Sequence, residues 1–230
     1  MRLLGEANRH GNDPELFAGL VHACRYCGLF DEAIAAHEEA RRLDPNVPTS
    51  LEQTLIMTGD IDRLLTIEPP MIVAGADDGI RVIALGLAGR RDEARSMLIA
   101  MRRASHIPAF QSWTAYLMAW LERRPEDMQF AETFGPLKIN EDPEAIFQDG
   151  WMLCDVGDYD RGLEYLRRAI GKGYFVAQTL SRRPQFDALR DHPAFQALVA
   201  DAERGRREAL AAFEAAGGSR LFGALRPLTT

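Results

Sequence analysis

The sequence predicts an all-α fold, a solenoid of antiparallel helix pairs ending in a helical cap. Three observations predict it. Apolar residues recur at spacings of three and four through most of the 230 residues. Turn positions at 28, 59, 89, 124 and 157 separate successive periodic segments by near-constant steps of 31, 30, 35 and 33 residues. Glycines and prolines punctuate these segments, ending one helix or opening the next.

The first unit, residues 14–46, shows the pattern most clearly. Phe17, Leu20, Val21 and Cys24 form the buried face of one helix, and Ala33, His37 and Ala40 that of the next. Gly28 closes the first helix, Asp31 is placed to cap the second, and Pro45 ends the unit. The fifth unit, 143–175, repeats the arrangement with Ile146, Gly150, Leu153, Gly157, Tyr159, Leu166 and Ala169. Gly162 there predicts a close approach of the two helices. Weaker units occupy 48–70, where Pro69-Pro70 must stop the second helix, 76–107, and 110–136, where Pro125 starts a second helix.

These residues resemble the tetratricopeptide repeat, a helix pair of 34 residues. Phe17, Leu20, Val21, Cys24, Gly28, Phe30, Ala33, His37, Ala40 and Pro45 fall on its offsets, with Val21, Cys24 and His37 in place of the usual small, aromatic and aromatic residues. The resemblance implies a right-handed superhelix, with an inner face lined mainly by the first helix of each pair and used to hold a protein or peptide.

Both ends extend this reading. "LLGEANRHGND" is similar to the closing half of a repeat, so the chain is expected to be a piece of something longer. The closing segment 176–200 carries a short duplication, Pro184-x-Phe186-x-x-Leu189 followed by Pro193-x-Phe195-x-x-Leu198. It resembles the C-terminal regions of bacterial multidomain signalling proteins in which such repeats follow a Ser/Thr kinase, an adenylate cyclase or a DNA-binding regulatory domain. Residues 201–218 read as a capping helix stopped by Gly217-Gly218. Residues 219–230 read as a tail, disordered or docked through Leu221 and Phe222.

Composition narrows the function. A net charge of -7 argues against nucleic-acid and anionic-membrane partners. Lys138 and Lys172 are the only lysines, and most of the seven Arg-Arg doublets fall late in predicted helices, where they complement the dipole. "MRLLGEANRHG" has no signal-peptide pattern and "AYLMAWL" is too short to span a bilayer, so a soluble, cytoplasmic chain is expected.

Cys24 and Cys27 form a Cys-x-x-Cys pair flanked by His22 and His37. A structural zinc site needs four ligands, and a redox pair normally opens a helix beside a strand. Here the pair falls inside a helix with no second pair, so packing is expected, and a metal or redox role is the minor alternative. Carboxylates cluster at helix starts and on polar faces, and no phosphate loop or nucleophile elbow is present. No catalytic residue, metal or cofactor is expected. The resemblance places His22 and Arg25, then Thr114, Met118 and Leu121, then Phe147 and Trp151 on the inner face as partner-binding residues. Ala18 and His22 stand where some family members clamp a C-terminal carboxylate with Lys and Asn, so that activity is not carried over. The expected function is non-catalytic binding of a protein or peptide. The alternative is a regulatory or oligomerising segment of a larger signalling protein, with a homo-oligomer possible.

Overall fold

The computed structural model describes residues 2–67, 76–129 and 141–223. Among them there is no strand, and the chain is all-α. The helices are α1 (Arg2–Arg9), α2 (Pro14–Tyr26), α3 (Phe30–Leu43), α4 (Leu51–Thr58), α5 (Ile61–Thr66), α6 (Ala76–Leu87) and α7 (Arg91–Ala104). They continue as α8 (Pro108–Leu121), α9 (Pro143–Val156), α10 (Tyr159–Gly171), α11 (Ala177–Arg182), α12 (Pro193–Ala215) and α13 (Gly218–Gly223). No helix among the described residues is long and apolar enough to cross a membrane.

The turns between paired helices share one construction. Gly28, Gly59, Gly89, Arg123 and Gly157 all have positive φ. In each case the amide of the following residue bonds the carbonyl five positions earlier: Leu29 to Cys24, Asp60 to Leu55, Arg90 to Leu85, Arg124 to Ala119 and Asp158 to Leu153, at 2.8–3.1 Å. This is the Schellman closure, which satisfies the last carbonyls of one helix and reverses the chain. The fourth turn residue is Arg123 rather than the expected 124. The segment after it is only a 3-10 turn, Pro125–Asp127, and not the helix that Pro125 predicts. Residues 130–136 of that unit lie outside the described residues, as do Pro69 and Pro70.

Besides Pro125, one further helix start departs from the sequence signals. Asp13, Asp60, Asp142 and Asp158 cap α2, α5, α9 and α10 through side-chain oxygens. α3 instead begins at Phe30, so Asp31 lies within the first turn, where a carboxylate still suits the helix dipole. α12 runs 23 residues without a break, merging the closing segment with the cap, because no proline separates them and Gly205 accommodates the Phe175 ring. Beyond it, Phe222 on α13 is buried against Phe17 and Phe213, so the described part of the tail is docked.

The chain returns to its own start. The Phe175 amide donates to the Tyr26 carbonyl at 2.8 Å, and the Thr179 hydroxyl to the Met57 carbonyl at 2.8 Å. The first pair (α2, α3) thus meets the residues that follow the fifth pair (α9, α10). Gly28 sits at this junction with φ +68, and a Cβ there would run into the Phe175 carbonyl oxygen. Gly59 has a similar φ of +83 but open space around it. Gly59→Ala is expected to cost about 1 kcal/mol through backbone strain alone, and Gly28→Ala roughly twice that because the junction must also move. Urea unfolding of the two variants measures the difference.

Candidate functional site

The site is built where α2 meets the start of α9. Asp142 caps α9 by accepting the amides of Glu144 at 2.8 Å and Ala145 at 3.3 Å, and Pro143 fills the first helical position, where no amide is needed. The cap fixes Glu144 in the first turn, where the dipole favours a carboxylate. Asp142 also accepts the Tyr26 hydroxyl at 2.8 Å, so one side chain both starts α9 and ties it to α2.

Arg25 is the centre of this junction. Its Nε donates to Glu144 Oε1 at 2.6 Å and its Nη2 to Glu144 Oε2 at 2.8 Å, a two-point pair between side chains 1% and 15% exposed. Nη1 donates to the Ser50 carbonyl at 3.0 Å and to its hydroxyl at 2.7 Å. Burial alone would pull the guanidinium down, but Glu144 outweighs it and holds Arg25 above its usual value. Nη2 also lies 3.1 Å from His22 Nδ1. Arginine can only donate, so Nδ1 accepts and the His22 proton is on Nε2. Burial of its inner edge and the Arg25 charge push His22 below its ordinary value.

Tyr174 completes the cluster. Its hydroxyl donates to Glu144 Oε1 at 2.8 Å, and its ring meets Tyr26 edge-on at 5.0 Å and Phe147 at 5.2 Å. Burial, and then Glu144, raise both phenols well above their usual value. They therefore remain neutral donors to the carboxylates.

Further along α9, Phe147, Trp151 and Asp155 continue the face begun by Glu144 at steps of three, four and four. Trp120 crosses Trp151 edge-on at 5.5 Å and donates its Nε1 to Asp155 Oδ2 at 2.8 Å. Arg91 lies 3.9 Å from the same oxygen. Arg183, 4% exposed, lays its guanidinium over the Trp151 ring at 4.4 Å. Its Nε donates to Gln185 Oε1 at 3.1 Å.

Of the residues predicted to face a partner, Arg25, Phe147 and Trp151 converge in this region, all buried. His22 is exposed beside Arg25. Thr114 and Leu121 are buried in α8 and Met118 is half-buried against the same apolar core. The Thr114 hydroxyl bonds the Gln111 carbonyl at 3.0 Å, and the Leu121 carbonyl accepts Arg91 at 2.7 Å. These three do not belong to the Arg25–Glu144 cluster. Cys24 packs in the first pair with its thiol pushed up to about 12 by burial, and half-buried Cys27 is raised for the same reason. Burial thus disfavours the thiolate that metal binding or redox exchange would use. Among the described residues, no three His, Cys, Asp or Glu side chains are grouped to hold a metal ion.

His37 lies with Arg41 and Arg63 around a separate surface cavity of about 200 Å³. Its Nδ1 is 2.6 Å from the Thr49 hydroxyl oxygen.

The sequence reading passed over Glu144, Tyr174, Asp149 and Arg183. Asp149 had a visible signal, because it lies amid the apolar positions Ile146, Gly150 and Leu153. Arg183 had none, since an Arg-Arg doublet before proline reads as a solvated helix end. Comparison of the chain with protein-family models, with curated proteins and with solved structures gives no match.

Proposed function

We propose that the chain is a non-catalytic binding module of the tetratricopeptide-like kind, a right-handed solenoid of helix pairs that holds a protein or peptide. The observation that carries this reading is the repetition of one turn construction at residues 28, 59, 89, 123 and 157. Pairs repeated at this spacing place many side chains on a continuous surface, which suits an extended partner more than a reacting small molecule. The cluster around Arg25 supports the same reading. Its carboxylates are matched by Arg25, Tyr26 and Tyr174, and its phenols are held neutral, an arrangement suited to fixing geometry rather than moving a proton.

Burial of Phe147 and Trp151 moves the expected contact surface outward, to positions such as Ile99 and Ile107, which are 41% and 64% exposed. The test is affinity capture with the immobilised full chain, followed by reconstitution with each purified candidate. The reading expects one protein that binds at fixed stoichiometry and is weakened by Ile107→Ser or Ile99→Ser. Capture of a small-molecule substrate that the chain turns over, with no protein bound, would contradict it.

A further inference from the structure

Arg183 has no internal explanation as a structural residue. Its flanking residues Arg182 and Pro184 are exposed, while its own side chain is directed inward and is 4% exposed. Nε is occupied by Gln185, but Nη1 and Nη2 are buried with no hydrogen-bond partner among the described residues. The Trp151 indole N–H beneath it is a second buried donor with no acceptor among the described residues. The carboxylate that acts on Arg183 most strongly, Asp155, is committed to Trp120 and Arg91. Burial accordingly pulls the Arg183 guanidinium down to about 10, with Asp155 opposing. Burying a cation with its donors unmet costs far more than stacking on one indole returns.

We propose that Arg183, presented on the Trp151 ring with its Nη1/Nη2 edge unoccupied, is a binding site for a carboxylate group. The unoccupied edge is the end-on fork of the guanidinium, whose two parallel N–H bonds match the two oxygens of a carboxylate. A single uncompensated positive charge selects one carboxylate. Gln185, which accepts from the Nε of the same guanidinium, is half-buried. The site lies after the fifth helix pair, and its ligand chemistry stands whether or not the chain binds a protein partner.

The three tryptophans, Trp113, Trp120 and Trp151, give three indole N–H signals in a ¹H–¹⁵N spectrum of the full chain, and Trp151→Phe identifies the third. Propionate is titrated against this signal. Propionamide is the neutral control, inorganic phosphate the competing anion, and an end-blocked Gly-Glu-Gly peptide the side-chain source. The expected result is a saturable shift of the Trp151 signal with propionate and none with propionamide. Arg183→Met is expected to weaken propionate binding at least about tenfold while melting no lower than the native chain. Saturation by propionate alone assigns a small free acid; saturation by the peptide as well assigns a carboxylate carried on a longer chain. A signal unmoved by any carboxylate, saturation by phosphate but not propionate, or an Arg183→Met chain that melts lower or fails to fold would each overturn the proposal.

Discussion

Arg25→Ala is expected to destabilise the chain by about 3–5 kcal/mol. The loss does not come from the Coulomb attraction alone. Removing the guanidinium leaves Glu144 with Tyr174 as its remaining side-chain donor among the described residues, strips the Ser50 hydroxyl of its Arg25 donor, and leaves the Ser50 carbonyl with only the long Thr54 hydroxyl contact at 3.5 Å. Glu144→Gln should cost a similar amount for the converse reason, since Arg25 would then be a fully buried cation held by neutral groups. A pair of this kind is not required for stability as such. Replacing both partners with methionine removes both desolvation penalties and is expected to recover most of the loss. Urea unfolding followed by far-ultraviolet circular dichroism of wild type and the three variants tests this, and a double-methionine chain that loses as much as the two single variants together would contradict it.

Asp149→Asn is expected to stabilise the protein, and increasingly so as pH rises. Asp149 is 8% exposed, and burial pushes its carboxyl up to about 8, only partly offset by the Tyr116 hydrogen bond and the Arg168 charge. The folded chain therefore keeps a proton near neutrality that the unfolded chain, with an ordinary carboxyl, has released. Folding takes up that proton, so stability falls as pH rises from about 4 to about 8 and levels off above it. Asparagine matches the shape of the neutral acid and does not titrate. The difference between variant and wild type should grow by about 1.4 kcal/mol per pH unit across that window and stay constant above it. Unfolding midpoints taken at unit pH intervals test this, and a difference independent of pH would remove Asp149 as the titrating group.

The helix pairs were legible because their signals are local. Apolar spacing, capping aspartates and left-handed glycines act within a turn or two of helix, and α2, α3, α9 and α10 follow them closely. Arg123 shows the limit of that signal. A left-handed turn is recognised by its glycine, and where an arginine takes φ 57 the position is displaced by one residue. The cap boundary near residue 201 was not legible either, since nothing in the sequence around it starts or stops a helix. The site was legible one helix at a time. Arg25 and Trp151 were expected to face a partner from α2 and α9, whereas both are buried, because nothing in either segment encodes which internal neighbours these faces meet. Arg25 and Glu144 are 119 residues apart, and their contact depends on how all the intervening pairs stack. A polar side chain on such a face reads as partner-facing until its internal partner is known.

The first helix pair and the start of the fifth are joined around Arg25 and Glu144, and the Phe175 segment that follows the fifth pair closes on the same first pair. The Phe175 amide reports on this closure directly, because Phe175 lies outside any helix and its N–H donates to the Tyr26 carbonyl at 2.8 Å. Native-state hydrogen exchange should find this amide as well protected as the slowest amides of α9, opening only when the whole chain unfolds. Exchange at the rate of an exposed loop, with α2 and α9 still protected, would show that the two pairs stand apart.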